Sequence, residues 1–171
     1  MKTIDELLEL SPEGDKQYYG AEVANLCDED KQQLQELANY LHKAGAKSPI
    51  SWAFGEVTEG RPQLTRFLLL RNLYEIIKDQ NGIIAEAAVF DEDIEKKMAV
   101  VNEILGDGYM QNLLYAYGKA IMSGVIGLLD GGNYNHKNDN LSWMLTETDA
   151  ESELTGRTLN NLHEDFLDFE D

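Results

Sequence analysis

The sequence predicts a mainly α protein: a single-domain helical bundle around a central buried helix at residues 109–130, with a small C-terminal β-hairpin at 141–159. Three observations carry that expectation. Apolar residues recur at helical spacing through most of the 171 residues. The longest apolar run, YAYGKAIMSGVIGLLDGG at 115–132, keeps its few polar groups on one narrow strip. Period-two alternation is confined to LSWMLTET at 141–148. A hydrophobic content of 43% is enough for a core, and the length suits one domain, 1–171, whose last part, 141–171, holds the hairpin and an acidic tail.

The elements follow in order. Thr3 and Glu6 form a capping box for a first short helix with Ile4, Leu7 and Leu8 on its apolar face. Ser11-Pro12-Glu13-Gly14 interrupts it. Asp28 is the expected N-cap of a second helix, with Glu29 and Asp30 in the first turn, where they complement the helix dipole. Leu34, Leu37, Ala38 and Leu41 form its stripe, and Gly45 is the left-handed stop. Ser48-Pro49 starts a short helix through Trp52 and Phe54, with proline at the first helical position. A long helix follows through Leu64, Phe67, Leu68, Tyr74 and Ile77 and is expected to end at Asn81-Gly82. The segment 82–90 reads equally as strand or helix. Asp91-Glu92-Asp93 starts a helix with Ile94, Met98, Val101 and Leu105 on one face, closed by Gly106-Asp107-Gly108.

The expected central helix is about 33 Å long at 1.5 Å per residue. Asn112, Lys119, Ser123 and Asp130 share one strip, at spacings of seven, four and seven. Leu113–Leu129 supplies 17 residues, interrupted by Lys119 and Ser123, and the flanks carry no basic cluster. A membrane span needs about 20 apolar residues, so the expectation is a core helix with one wet edge. Its three glycines, Gly118, Gly124 and Gly127, cost about 2–3 kcal/mol relative to alanine. Beyond it, LTGRTL is the returning strand of the hairpin, and a final helix turns Leu162, Phe166 and Phe169 inward.

Tests for chemistry fail. Gly118-Lys119 is followed by alanine, which breaks the phosphate-loop motif. Asp149, Glu151 and Glu153 match the first three ligand positions of a calcium loop, but Leu154 and Asn160 stand where glycine and glutamate are required. Cys27, His42, His136 and His163 are too dispersed for zinc. No nucleophile elbow is present. No catalytic residue, metal ligand or cofactor is assigned, and the reading leans away from an enzyme.

Charge is the remaining signal. The formal net charge is −18, and it is concentrated at both ends. Residues 1–30 carry nine Asp/Glu against two Lys, and 149–171 carry eight against one Arg. Such a field repels nucleic acid and anionic membranes and attracts basic partners. A lone cysteine, Cys27, excludes an internal disulfide and suits a reducing compartment as a structural thiol. MKTIDELLEL lacks the apolar core of a signal peptide, so the expected location is cytoplasmic.

Two functions are therefore expected. The first is an acidic interaction domain that binds and neutralises a basic protein, in the manner of an immunity protein or antitoxin. Trp143 is its aromatic anchor, and Asp149, Glu151, Glu153, Glu164, Asp165 and Asp168 are its contact residues. The alternative is a small-molecule-binding protein or enzyme with a site at Asn112, Lys119, Ser123 and Asp130. Plain solubility explains the charge equally well, and the oligomeric state is left open.

Overall fold

The computed structural model describes residues 1–131 and 143–169. The fold is mainly α with one two-stranded hairpin, as the periodicities predict. Its residues group into two compact units, 1–69 with 145–159 and 70–144 with 160–171.

The first unit begins with α1 (Ile4–Leu8), α2 (Glu13–Ala24) and α3 (Asp28–Lys43). Thr3 and Glu6 make the expected capping box. Buried Asn39 of α3 fixes the chain start: its side chain accepts from the Lys2 amide at 2.7 Å and donates to the Lys2 carbonyl at 2.9 Å. The N-cap of α3 is Cys27 rather than Asp28. Its Sγ accepts from the Asp30 amide at 3.4 Å, and the thiol is exposed. Leu34, Ala38 and Leu41 are buried as the stripe requires. Gly45, at φ +99°, closes α3, and the Ala46 amide returns to the Leu41 carbonyl at 2.9 Å.

α4 (Pro49–Glu59) packs closely on α3 and buries Ile50 and Ala53. It starts on Pro49, but Ser48 makes no side-chain cap. α5 (Gln63–Lys78) contributes residues 63–69 to this unit, where Phe67 meets Trp52 edge-on at 5.5 Å. β1 (Leu145–Thr148) and β2 (Leu154–Leu159) pair antiparallel, Leu145 opposite Leu159 and Thr148 opposite Leu154. The hairpin therefore starts at 145 rather than 141. Leu141 and Ser142 lie outside the described residues, and Trp143 precedes the strand. The register shifts between Thr146 and Thr148, and Gly156 takes φ +81° in the opposing strand, a conformation that costs glycine little.

The second unit holds the end of α5, then α6 (Gln80–Ala87), α7 (Ile94–Leu105), α8 (Asp107–Gly131) and α9 (Leu162–Asp168). The ambiguous 82–90 segment is helical through Ala87. Asn81-Gly82 lies inside α6. The break after α5 falls at Asp79, whose side chain accepts from the Gly82 amide at 3.0 Å. Gly106, at φ +84°, separates α7 from α8. Tyr74, Ile77, Ile126, Leu162 and Phe166 form this unit's buried centre. The Tyr74 hydroxyl donates to the Phe166 carbonyl, and its ring lies 4.9 Å from that of Phe166 and stacks on Phe169 at 5.2 Å.

The expected central burial of 109–130 is overturned. Of its most apolar 18-residue window, 6% is buried. α8 forms an edge of its unit rather than its centre.

Candidate functional site

Helix α8 is oriented the opposite way to the expected one. Its outward face carries Tyr109, Leu113, Tyr117, Ile121, Val125 and Leu128, each between 41% and 64% exposed. Its inward face carries most of the polar strip. Lys119 Nζ lies 5.4 Å from the centre of the Tyr74 ring and 5.8 Å from that of Tyr115. Asp130 Oδ2 accepts from the His163 backbone amide at 2.9 Å and pairs with His163 Nδ1 at 2.8 Å. Only 8% of the Asp130 side chain is exposed. Ser123 is half-buried and Asn112 exposed.

The physical reason is that these groups have partners within the fold. Tyrosine faces attract an ammonium. The first turn of α9 offers free amides and positive dipole charge to a carboxylate. Burial of the strip is therefore compensated in part, Asp130 Oδ1 being buried without a hydrogen-bond partner among the described residues, and the exposed face is apolar. The glycines divide in the same way. A Cβ on Gly118 would lie 3.2 Å from Ile77 Cγ2, whereas on Gly124 or Gly127 it would meet nothing within 4 Å. By length and composition α8 is the one helix among the described residues able to cross a membrane.

The seven residues of the expected acidic contact surface fall in both units. Trp143, Glu164, Asp165 and Asp168 belong to the second, Asp149, Glu151 and Glu153 to the first. Trp143 is 44% exposed, and its indole N–H donates to the Leu128 carbonyl at 3.0 Å, beside the C-terminal end of the α8 stripe. Glu164 and Asp168 are exposed on α9, and Asp165 is half-buried. Glu151 and Glu153 are exposed in the hairpin turn. Asp149 organises that turn, its Oδ1 accepting from the amides of Glu151 at 3.0 Å and Glu153 at 2.9 Å.

Sequence reading missed a polar cluster in the first unit. Glu147, 5% exposed, accepts from Arg157 Nε at 2.6 Å and Nη2 at 2.8 Å, from the Thr155 hydroxyl at 2.8 Å and from the Thr65 hydroxyl. Arg157 Nη1 also reaches Glu56 Oε1 at 2.7 Å. Glu56 Oε2 in turn accepts from the Leu64 amide at 2.7 Å in the first turn of α5. Burial opposes ionisation of Glu147, but the hydrogen bonds from Thr65, Arg157 and Thr155, with the arginine charge, hold its pKa below the usual glutamate value. Burial likewise opposes charge on Arg157, and Glu56 and Glu147 overcome it and raise its pKa. The cluster ties the hairpin to α4 and α5. The only signal for it in the sequence is a charged pair ten residues apart in facing strands.

A cleft of about 360 Å³ in the second unit is lined by Lys78, Asp79, Gln80, Asn81, Gln111, Asn112 and Tyr115. It includes Asn112 of the polar strip but not Lys119, Ser123 or Asp130. No group of three or more metal-ligating side chains occurs among the described residues.

What the fold defines is a mainly helical, acidic protein that leaves a long apolar helix face exposed among the described residues. Comparison with protein-family models, curated proteins and solved structures finds no match to this chain.

Proposed function

We propose that the chain is an acidic interaction domain that binds and neutralises a basic protein partner, as an immunity protein or antitoxin does. One observation carries the reading: the negative charge belongs to both units. The first unit has sixteen Asp/Glu against eight Lys/Arg, the second sixteen against six. Several of these carboxylates, including Glu151, Glu153, Glu164 and Asp168, stand exposed without a cation beside them in sequence. Clustered like charge of this kind accelerates encounter with an oppositely charged protein and rejects anionic ones. The hydrogen bonds at Asp130 and the tyrosine contacts of Lys119 give those two residues structural work, which favours this reading over a ligand site on the strip.

The test is capture on the immobilised full chain at low salt, followed by a salt gradient. A basic protein eluting in stoichiometric amount supports the proposal. Retention that does not change from low to high salt, or retention of nothing, removes it.

A further inference from the structure

We infer that the outward face of α8 seats a basic amphipathic helix of that partner. The inference rests on the proposed preference for a basic protein and adds the place and the shape of the contact.

The face is large. With roughly 200 Å² for a full-sized side chain, the exposed parts of its six large residues amount to about 600 Å², the upper end of the largest patch on a typical monomer. It is also uncharged: Lys119 and Asp130, the charged side chains within residues 108–131, are turned inward. Ala116, Ala120 and Gly124 follow one another at intervals of four along it, so another helix could approach closely. Glycine costs about 1 kcal/mol in a helix interior, yet Gly124 and Gly127 contact nothing that a methyl group would disturb. Packing among the described residues does not require them.

Charge selects the occupant. α7 and α9 both pack against α8. α7 exposes Glu95 and Glu103, and α9 exposes Glu164 and Asp168. The α7 lysines are already paired, Lys96 with Asp93 at 2.8 Å and Lys97 with Asp91 at 2.5 Å. A second copy of the chain would bring the same net negative charge to the same stripe. A helix with an apolar face bordered by Lys and Arg satisfies both the stripe and the negative charge of the helices packed on α8.

The probe is a synthetic 18-residue peptide of leucine and lysine at helical spacing, with a leucine-glutamate control. The full chain carries Trp52→Phe, so that Trp143, hydrogen-bonded beside the stripe, reports occupancy by its emission. The cationic peptide is expected to bind and the anionic one not. Leu113→Glu and Ile121→Glu are each expected to weaken binding at least tenfold. The substitutions are diagnostic because each adds a negative charge, so binding by charge alone would tighten. Circular dichroism confirms that these exposed-site variants stay folded. Salt-sensitive binding that both variants leave intact overturns the inference and spares the acidic-domain reading; no binding of any cationic probe overturns both. A stable dimer dissociated by Leu113→Glu assigns the face to a second copy and overturns the inference. Binding to neutral phosphatidylcholine vesicles, abolished by the same substitution, assigns it to lipid and does likewise.

Discussion

Replacing Arg157 with leucine tests what holds the hairpin to the helices. Arg157 gives Glu147 two of its four side-chain hydrogen bonds and gives Glu56 another. In Arg157→Leu the carboxylate of Glu147 keeps only the hydroxyls of Thr65 and Thr155, in a site 5% exposed. Removing one member of a fully buried ion pair costs about 3–5 kcal/mol, because the other charge is stranded. The Arg157 side chain is 36% exposed, and water can replace part of what is lost, so the expected cost is about 2 kcal/mol. A unit of roughly 80 residues has a urea m-value of about 1 kcal/mol/M. The unfolding midpoint of the first unit should therefore fall by about 2 M. Trp52 belongs to this unit and Trp143 to the other, so Trp52 emission in a Trp143→Phe background isolates the transition. A midpoint shift below about 0.5 M would refute the view that this cluster joins the hairpin to α4 and α5.

Further outcomes follow from the same contacts. Because the pKa of Glu147 is depressed in the folded chain, its ionised form stabilises the fold above the ordinary glutamate pKa, and that contribution is lost as pH falls through the folded value. Urea titrations from neutral to acid pH should show a smaller acid loss in Glu147→Gln than in the wild type; equal slopes would count against the assignment. In the second unit, Phe166→Ala should cost about 3–5 kcal/mol, since the ring is almost wholly buried. Tyr74→Phe, which removes only the hydroxyl donated to the Phe166 carbonyl, should cost about 1–2 kcal/mol; both are measured by denaturation followed at Trp143. Gly124→Ala and Gly127→Ala should each stabilise the second unit by about 0.5–1 kcal/mol while weakening binding of the leucine-lysine peptide. Gly118→Ala should not give that gain, because Ile77 occupies the space.

Signals that act within a few residues were legible in the sequence. Thr3 with Glu6, Pro49, Gly45 and Gly106 all stand where a helix starts or stops, because a cap depends on the local backbone alone. The stripe of α3 was legible because its buried residues fall on one side. α2 was not, since Val23 is its only fully buried residue, and little amphipathic pattern marks it. Cys27 took the capping position that Asp28 was expected to hold because a thiol, too, can accept from the free amide three residues on. The sequence points to Asn81-Gly82 as the break after α5 because the two residues form a common turn pair. Asp79 makes the cap two residues earlier, and the turn pair continues as helix. Glu147 and Arg157 continue the register of Leu145 with Leu159 and Thr146 with Thr158; they could not be paired from sequence, because strand register depends on the fold of the turn and on which face is buried, not on the two residue types.

The inversion of α8 has a more general cause. Helical periodicity separates a strip from the remaining surface, but it does not say which of the two faces inward. That is decided by what the rest of the chain can offer each side. Here α5 offers Tyr74, which with Tyr115 of α8 itself accommodates Lys119, and α9 offers the His163 amide and ring to Asp130. With these partners the polar strip loses little on leaving water, and the five large apolar residues from Leu113 to Leu128 remain outside together with Tyr109. A helix whose charged residues find partners on one side and whose apolar face stays exposed among the described residues is incomplete in thermodynamic terms: about 25 cal/mol per Å² is gained when such a face is covered. The stripe of α8 and the charge of its neighbours are therefore two requirements on a single partner, and neither an apolar surface alone nor a basic one alone meets both.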